Sequence, residues 1–165
     1  MLTPKVYVST FKKYNNGSLK GAWLDLGDFD SEVEFIAAAK KLHSDEADPE
    51  IFFQAHENIP SQCIQETQVN WRYVDFYKNN PDIADHESAA AAFISVFGVD
   101  YLGEFENLFY SEEQSKESFV LSYIDSIGLL NDIPESVAMY FDYDSYGRDL
   151  FISTFHYVNG FVFNR

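Results

Sequence analysis

The stretch YFDYDSYGRDLF at residues 140–151 contains residue types that could bind a metal ion. Asp142, Asp144 and Gly147 stand where a calcium loop of the EF-hand type has its first, third and sixth residues. Such a loop also needs an oxygen ligand at its fifth position and a bidentate glutamate at its twelfth. Tyr146 and Ser153 occupy those two positions. The sequence therefore does not predict a calcium site, and the role of these side chains depends on the helices and strands that position them.

The histidines and the single cysteine form no pattern that is typical of catalysis or metal binding. HENIP at residues 56–60 lacks the second histidine of a zinc-binding helix, and no nucleophile motif surrounds Cys63. No glycine-rich phosphate loop occurs. Carboxylate pairs suited to acid–base catalysis are numerous, but among 27 acidic residues a pair carries little information. The sequence predicts no enzyme, no cofactor and no metal, with a carboxylate-pair hydrolase as an alternative.

The charge of the chain is strongly negative and unevenly distributed. There are 27 acidic residues against 11 basic ones, a net charge of −16, and residues 42–165 contain 22 of the acids and five of the bases. Direct binding to nucleic acid is excluded, because phosphate contacts need a basic surface. A disordered acidic tail does not fit either, since 18% of the residues are aromatic. The carboxylates therefore belong to a folded protein.

The composition indicates a cytoplasmic protein. One cysteine permits no internal disulfide, which suits a reducing compartment. The first residues, MLTPKVYVST, lack the basic and apolar segments of a signal peptide. The longest apolar stretch, AAAAFISVFGV, is too short to span a bilayer. We expect no membrane partner.

The pattern of residues predicts an α+β fold. Strands over 5–11 and 22–26 form a hairpin, Ser31 caps a helix that runs to about residue 43, and residues 50–56 add a third strand. Helices follow over 64–80, 86–98 and 103–110. Ser111 and Asp132 are predicted to cap two further helices. Strands are predicted after Gly147, joined by an Asn159-Gly160 turn.

We expect three small domains in line. Residues 1–61 form a small antiparallel sheet with a helix, residues 62–103 a helical unit, and residues 104–165 a unit of helices and a β-hairpin. An elongated chain suits the charge, because B-DNA carries one negative charge per roughly 1.7 Å of its axis and sixteen charges would cover about 27 Å. A compact chain of this length has a radius of gyration of about 15 Å, so an elongated chain would spread its charges more readily at the spacing of DNA.

Two stretches resemble the ArdA family of antirestriction proteins. They are YVSTFKKYNNGSLKGAWLDL at residues 7–26 and IDSIGLLNDIPESVAMYFDYDSYGRDL at residues 124–150. The resemblance implies a homodimeric mimic of B-form DNA, encoded on mobile elements, that occupies the DNA-binding channel of type I restriction–modification enzymes. An acidic adaptor that binds a basic protein without mimicking DNA is the alternative. Competition by duplex DNA for the same partner would argue against that adaptor.

Three sets of residues follow from this interpretation. The antirestriction motif comprises Asp132, Tyr140, Phe141, Asp142, Tyr143, Asp144, Tyr146, Gly147, Arg148 and Asp149, with Arg148 expected to pair with Asp149 or Asp144. The dimer contact is expected at Phe105, Phe109, Tyr140, Phe141, Tyr143 and Tyr146. The carboxylates expected to stand for phosphates are Asp45, Glu46, Asp48, Glu50, Glu57, Glu66, Asp75, Asp82, Asp85, Glu87, Asp100, Glu104, Glu106, Glu112, Glu113, Glu117 and Asp125.

Overall fold

The computed structural model describes residues 2–165 and confirms the α+β class. The described residues form eight α-helices and two small antiparallel sheets, with 48% of the residues in helices and 19% in strands. The chain divides into two compact units, Met1–Gly103 and Glu104–Arg165, here called the N-terminal and C-terminal units. A further division of the N-terminal unit at residue 61 remains a prediction.

The N-terminal unit is built on a three-stranded sheet with the order β2-β1-β3. Strand β1 (Lys5–Thr10) runs antiparallel to both β2 (Ala22–Asp25) and β3 (Ile51–Glu57). Val6 and Val8 alternate along β1 and are fully buried, as expected for a sheet with one face on the core. The predicted hairpin and third strand are confirmed. The first strand ends at Thr10, one residue earlier than predicted, and the connection to β2 contains a short helix, α1 (Phe11–Asn15), which was not predicted.

Three longer helices complete the N-terminal unit. Helix α2 (Glu32–Leu42) begins where predicted, because the hydroxyl of Ser31 accepts a hydrogen bond from the backbone N–H of Glu34. Helices α3 (Trp71–Asn79) and α4 (His86–Phe97) follow. Gly98 ends α4 with a positive φ of 88°. Short 3-10 turns lie at Leu26–Asp28, Ser61–Cys63 and Val99–Glu104.

The helix predicted over residues 64–80 is shorter than expected. Ile64 and Val69 form an isolated antiparallel bridge, so residues 64–70 fold back instead of continuing a helix. The side chain of Asn70 accepts a hydrogen bond from the N–H of Arg72 and caps α3. Val69 is buried as its apolar pattern indicated, although it lies outside the helix.

The C-terminal unit has its own sheet. Its elements are α5 (Phe105–Leu108), β4 (Phe109–Glu112), α6 (Lys116–Ser126), α7 (Glu135–Ala138), α8 (Tyr143–Ser153), β5 (Phe155–Val158) and β6 (Phe161–Asn164). The strands lie in the order β4-β6-β5. The turn between β5 and β6 is the predicted Asn159-Gly160 pair, whose φ angles are 50° and 93°. The core of the unit contains a cluster of Phe119, Leu150, Phe155 and Val162.

The two helix caps predicted in the C-terminal unit are wrong. Ser111 lies inside β4, because residues 109–112 pair with β6. Helix α6 begins instead after Ser115, whose hydroxyl and backbone N–H exchange hydrogen bonds with Ser118. Asp132 caps nothing, since α7 begins after Pro134 without a side-chain cap.

The strand predicted after Gly147 is also wrong in its first half. Residues 143–153 form α8, and the strand begins only at Phe155. The apolar run LFISTF fits a helix or a strand equally well in so short a window. The side chain of Asp142 favours the helix, because it accepts a hydrogen bond from the N–H of Ser145 in the first helical turn.

Candidate functional site

The acidic pair that resembles a calcium loop lies at the start of α8. One carboxylate oxygen of Asp142 accepts a hydrogen bond from the backbone N–H of Ser145 at 2.9 Å, and the other accepts from the Ser145 hydroxyl at 2.7 Å. These bonds hold the pKa of Asp142 below its usual range. Asp144 lies in the first helical turn, where the helix dipole stabilises a negative charge. The spacing of these acids is therefore explained by helix capping.

The six aromatic residues expected at a dimer contact fall into two clusters. Phe141 packs against Tyr143 and Tyr146, with ring centres 4.9 and 5.5 Å apart. Next to them Tyr140 is 81% exposed. Phe105 instead stacks on Phe109 at 5.1 Å and is 1% exposed, so it belongs to the core of its own unit.

The remaining motif residues of α8 have packing and charge roles. Gly147 is buried, and a Cβ atom at this position would lie 2.7 Å from Cγ2 of Val120. The glycine therefore lets α8 approach α6 closely. The guanidinium of Arg148 lies 3.4 Å from the carboxylate of Asp149, which is the local pair predicted from the sequence. Both side chains are exposed, so this pair contributes little to stability.

The carboxylates predicted to stand for phosphates are mostly at the surface. Of the 17 residues, 15 are exposed and two, Glu46 and Glu113, are half-buried. None is fully buried. Exposure alone does not make a carboxylate available, because a neighbouring lysine or arginine can neutralise it.

Ion pairs within the described residues engage five of the 17. Lys13 binds Asp45 and Glu46 at 3.0 and 2.6 Å, and Lys20 also lies 3.5 Å from Asp45. The other three pairs are Lys5–Glu57 at 2.8 Å, Lys40–Asp48 at 3.9 Å and Arg72–Asp100 at 3.9 Å. All of these pairs lie in the N-terminal unit.

Lys13 is the centre of a partly buried ionic cluster that no local sequence pattern indicates. The side chain of Lys13 is 9% exposed, and Glu46 also accepts a hydrogen bond from the hydroxyl of Thr10 at 2.7 Å. The hydrogen bond from Lys13 lowers the pKa of both Glu46 and Asp45, and the bond to Glu46 raises the pKa of Lys13. The cluster ties the segment after α2 to α1, so these two carboxylates have a structural role.

Twelve of the predicted carboxylates form no ion pair within 4 Å in the described part of the chain, and we call them the unpaired acidic set. Eleven are exposed, and Glu113 is half-buried. Residues 104–165 contain eleven acids and three bases, so pairing could not neutralise that unit. The set comprises Glu50, Glu66, Asp75, Asp82, Asp85, Glu87, Glu104, Glu106, Glu112, Glu113, Glu117 and Asp125.

Residues 2–165 contain no group of three or more histidine, cysteine or acidic side chains placed to hold a metal ion. Cys63 is buried, and burial raises the pKa of its thiol to about 11. Such a thiol is a poor nucleophile. In the same residues, no single helix is long and apolar enough to cross a membrane.

The fold, the exposed carboxylates and the capped α8 helix define the chain as an acidic α+β protein. The family model described as antirestriction protein (ArdA) matches residues 6–163 of the 165-residue chain. The chain therefore belongs to the ArdA family, and this membership supports an antirestriction function. A comparison with curated proteins found no significant match.

Proposed function

We propose that this protein inhibits type I restriction–modification enzymes by placing its carboxylates where the enzyme's DNA-binding channel accepts phosphates. A channel of that kind is rich in lysine and arginine. Inhibition would be stoichiometric and would involve no catalysis, because the protein holds the channel instead of modifying it. The unpaired acidic set is the observation that carries this proposal.

The physical argument rests on the sum of many weak contacts. An exposed carboxylate paired with an exposed base contributes roughly 0.2–1 kcal/mol. A single pair therefore adds little to the affinity, but about ten pairs along one interface give useful affinity and accelerate association. Carboxylates already paired with lysine or arginine would contribute less, since binding must first break the existing ion pair.

A matched pair of triple variants tests which carboxylates act. The first variant, Asp75→Asn, Asp82→Asn and Glu87→Gln, removes three members of the unpaired acidic set. The control, Asp48→Asn, Glu57→Gln and Asp100→Asn, removes the same number of charges from ion-paired positions. We expect the first variant to bind the enzyme about three- to 150-fold more weakly, from three contacts of the size given above.

The control variant should bind nearly as well as the unmodified protein. Binding would be measured by displacement of a labelled DNA duplex from the methyltransferase, with circular dichroism to show that both variants are folded. Equal losses in the two variants would mean that net charge alone matters. No loss in either would exclude a role for these carboxylates.

We also propose that the chain forms a homodimer through apolar residues of the C-terminal unit. Two chains of charge −16 repel each other, so a dimer needs an apolar contact. Val137 in α7 and the adjacent Met139 and Tyr140 are 58%, 72% and 81% exposed. Aromatic and methionine side chains are enriched at interface cores. Because Phe105 is buried in its own unit, Tyr140 is the better probe of this contact.

Substitution of Tyr140 tests the dimer. Tyr140→Asp should give a folded monomer in sedimentation experiments, because a carboxylate in an apolar interface loses its hydration without a partner. Tyr101→Asp changes another exposed tyrosine, in the N-terminal unit, and should remain dimeric. A Tyr140→Asp variant that stays dimeric would place the interface elsewhere.

A further inference from the structure

The two sulfur-containing side chains among residues 2–165, those of Met139 and Cys63, differ sharply in their access to solvent. Met139 directly follows α7 and is 72% exposed. Cys63 is 1% exposed, and burial raises the pKa of its thiol to about 11, so little of the reactive thiolate forms. An oxidant that approaches the folded chain from solvent therefore reaches the thioether of Met139 more readily than the thiol of Cys63.

The surface next to Met139 is apolar and belongs to the dimer contact proposed above. Val137, two positions earlier, and Tyr140, directly after Met139, are both largely exposed. The N–H of Met139 donates a hydrogen bond to the carbonyl of Glu135 at 3.1 Å, and that of Tyr140 donates to the carbonyl of Val137 at 3.0 Å. These bonds hold the three exposed side chains in one turn, so a chemical change at Met139 alters the surface that all three form.

From these observations we infer that Met139 is a site of reversible oxidation by hydroperoxides, and that its sulfoxide weakens the dimer. The inference rests on the proposed dimer contact. With hydrogen peroxide, the thioether sulfur attacks one peroxide oxygen and the O–O bond breaks. That oxygen stays on sulfur as the sulfoxide, and its proton passes to the departing hydroxide, which leaves as water. Sulfur is oxidised and the peroxide is reduced, and methionine sulfoxide reductases restore the thioether.

The sulfoxide weakens the dimer because it places a polar group in an apolar contact. Its oxygen loses hydration there without gaining a hydrogen-bond donor. Each chain has a net charge of −16, so repulsion between the chains already opposes the contact. The dissociation constant of the dimer should rise about five- to 150-fold for each sulfoxide that the contact buries, as for a polar group buried without a partner.

Oxidation of Met139 and formation of the dimer should exclude each other. The exposure of Met139 is that of the single chain, and a partner that covers Tyr140 also covers the residue next to it. At a constant peroxide concentration, the rate of Met139 oxidation should therefore fall as the protein concentration rises through the dissociation constant of the dimer. In Tyr140→Asp, which we expect to be monomeric, this rate should not depend on protein concentration.

Peroxide treatment of the full chain tests the inference. Mass spectrometry of peptides would measure the sulfoxide at Met139, sedimentation would measure the dimer, and circular dichroism would show that the chain stays folded. In Met139→Leu, which lacks the thioether, the dissociation constant should be the same before and after treatment. In Met139→Gln, which has a polar side chain without oxidation, the dimer should be weak before treatment. Methionine sulfoxide reductase should restore the dimer of the oxidised, otherwise unmodified protein.

Several results would overturn the inference. Met139 that stays unoxidised under conditions that oxidise free methionine would not be the site. An oxidised chain with an unchanged dissociation constant would show that the sulfoxide lies outside the contact, as would oxidation at a rate independent of protein concentration in a chain that dimerises. Equal weakening of the dimer in Met139→Leu would assign the effect to another residue. If the untreated protein forms no dimer in sedimentation, the proposed dimer fails, and the inference fails with it.

Discussion

Truncation of Phe119 should strongly destabilise the C-terminal unit while the N-terminal unit keeps its stability. Phe119 is 1% exposed, and its ring lies 5.0 Å from that of Phe155 and 5.6 Å from that of Tyr123. Replacing a buried phenylalanine with alanine costs about 3–5 kcal/mol, through lost burial and the cavity that remains. A unit of 62 residues is stabilised by roughly 3–9 kcal/mol in total. The variant Phe119→Ala should therefore lie close to the unfolding midpoint of that unit.

The two tryptophans make this measurement selective, because Trp23 and Trp71 both lie in the N-terminal unit. In Phe119→Ala, the urea transition followed by tryptophan fluorescence should keep its midpoint, while part of the helical circular dichroism is lost at low urea. The matched control Phe35→Ala, whose ring packs 6.0 Å from Trp71, should shift the fluorescence transition instead. A fluorescence midpoint that falls with Phe119→Ala would show that the two units unfold as one.

Two further predictions concern single contacts. Gly147→Ala should destabilise the C-terminal unit by about 1–3 kcal/mol in urea unfolding, because the new Cβ would lie 2.7 Å from Cγ2 of Val120. Adding Val120→Ala to this variant should restore most of the lost stability. A single variant that is more stable than the unmodified protein would contradict the close approach of α6 and α8. The lowered pKa values of Asp45 and Glu46 mean that the Lys13 cluster stabilises the N-terminal unit at pH values above about 4, the pKa of these groups in the unfolded chain. This contribution is lost as the pH falls through their lower folded pKa values, so Lys13→Met should flatten the acid dependence of the tryptophan-monitored unfolding midpoint, and an unchanged acid dependence would contradict the ionic cluster.

Local signals in the sequence predicted the elements whose ends are determined by nearby residues. Ser31 starts α2 through its own hydroxyl, and Asn159 with Gly160 forms a turn that requires positive φ at both positions. Both were predicted correctly, since the decisive interactions span three residues or fewer.

Elements that depend on distant partners were mispredicted. Strand β4 exists because residues 109–112 pair with residues 161–163, about fifty positions later, and no local pattern reveals that partner. The cap at Ser111 was wrong for this reason. In the same way, the ion pairs of Lys13 join residues more than thirty positions apart, so the sequence could not show that Asp45 and Glu46 are neutralised.

The acidic character of the candidate site was clear from composition, whereas the availability of each carboxylate was not. A count of charges shows an excess of acids without showing which of them lysine and arginine engage. The structure shows that five of the 17 predicted carboxylates form ion pairs, and the other twelve are the unpaired acidic set. The close contact at Gly147 likewise depends on how α6 and α8 pack.

Competition with DNA for a type I methyltransferase tests the central proposal most directly. The purified protein would be titrated against the enzyme bound to a labelled duplex that contains its recognition site, at several salt concentrations. If the carboxylates take the place of phosphates, the duplex is displaced at stoichiometric protein, and the affinity of the protein for the enzyme falls as salt rises. A stable ternary complex of enzyme, duplex and protein would contradict the proposal.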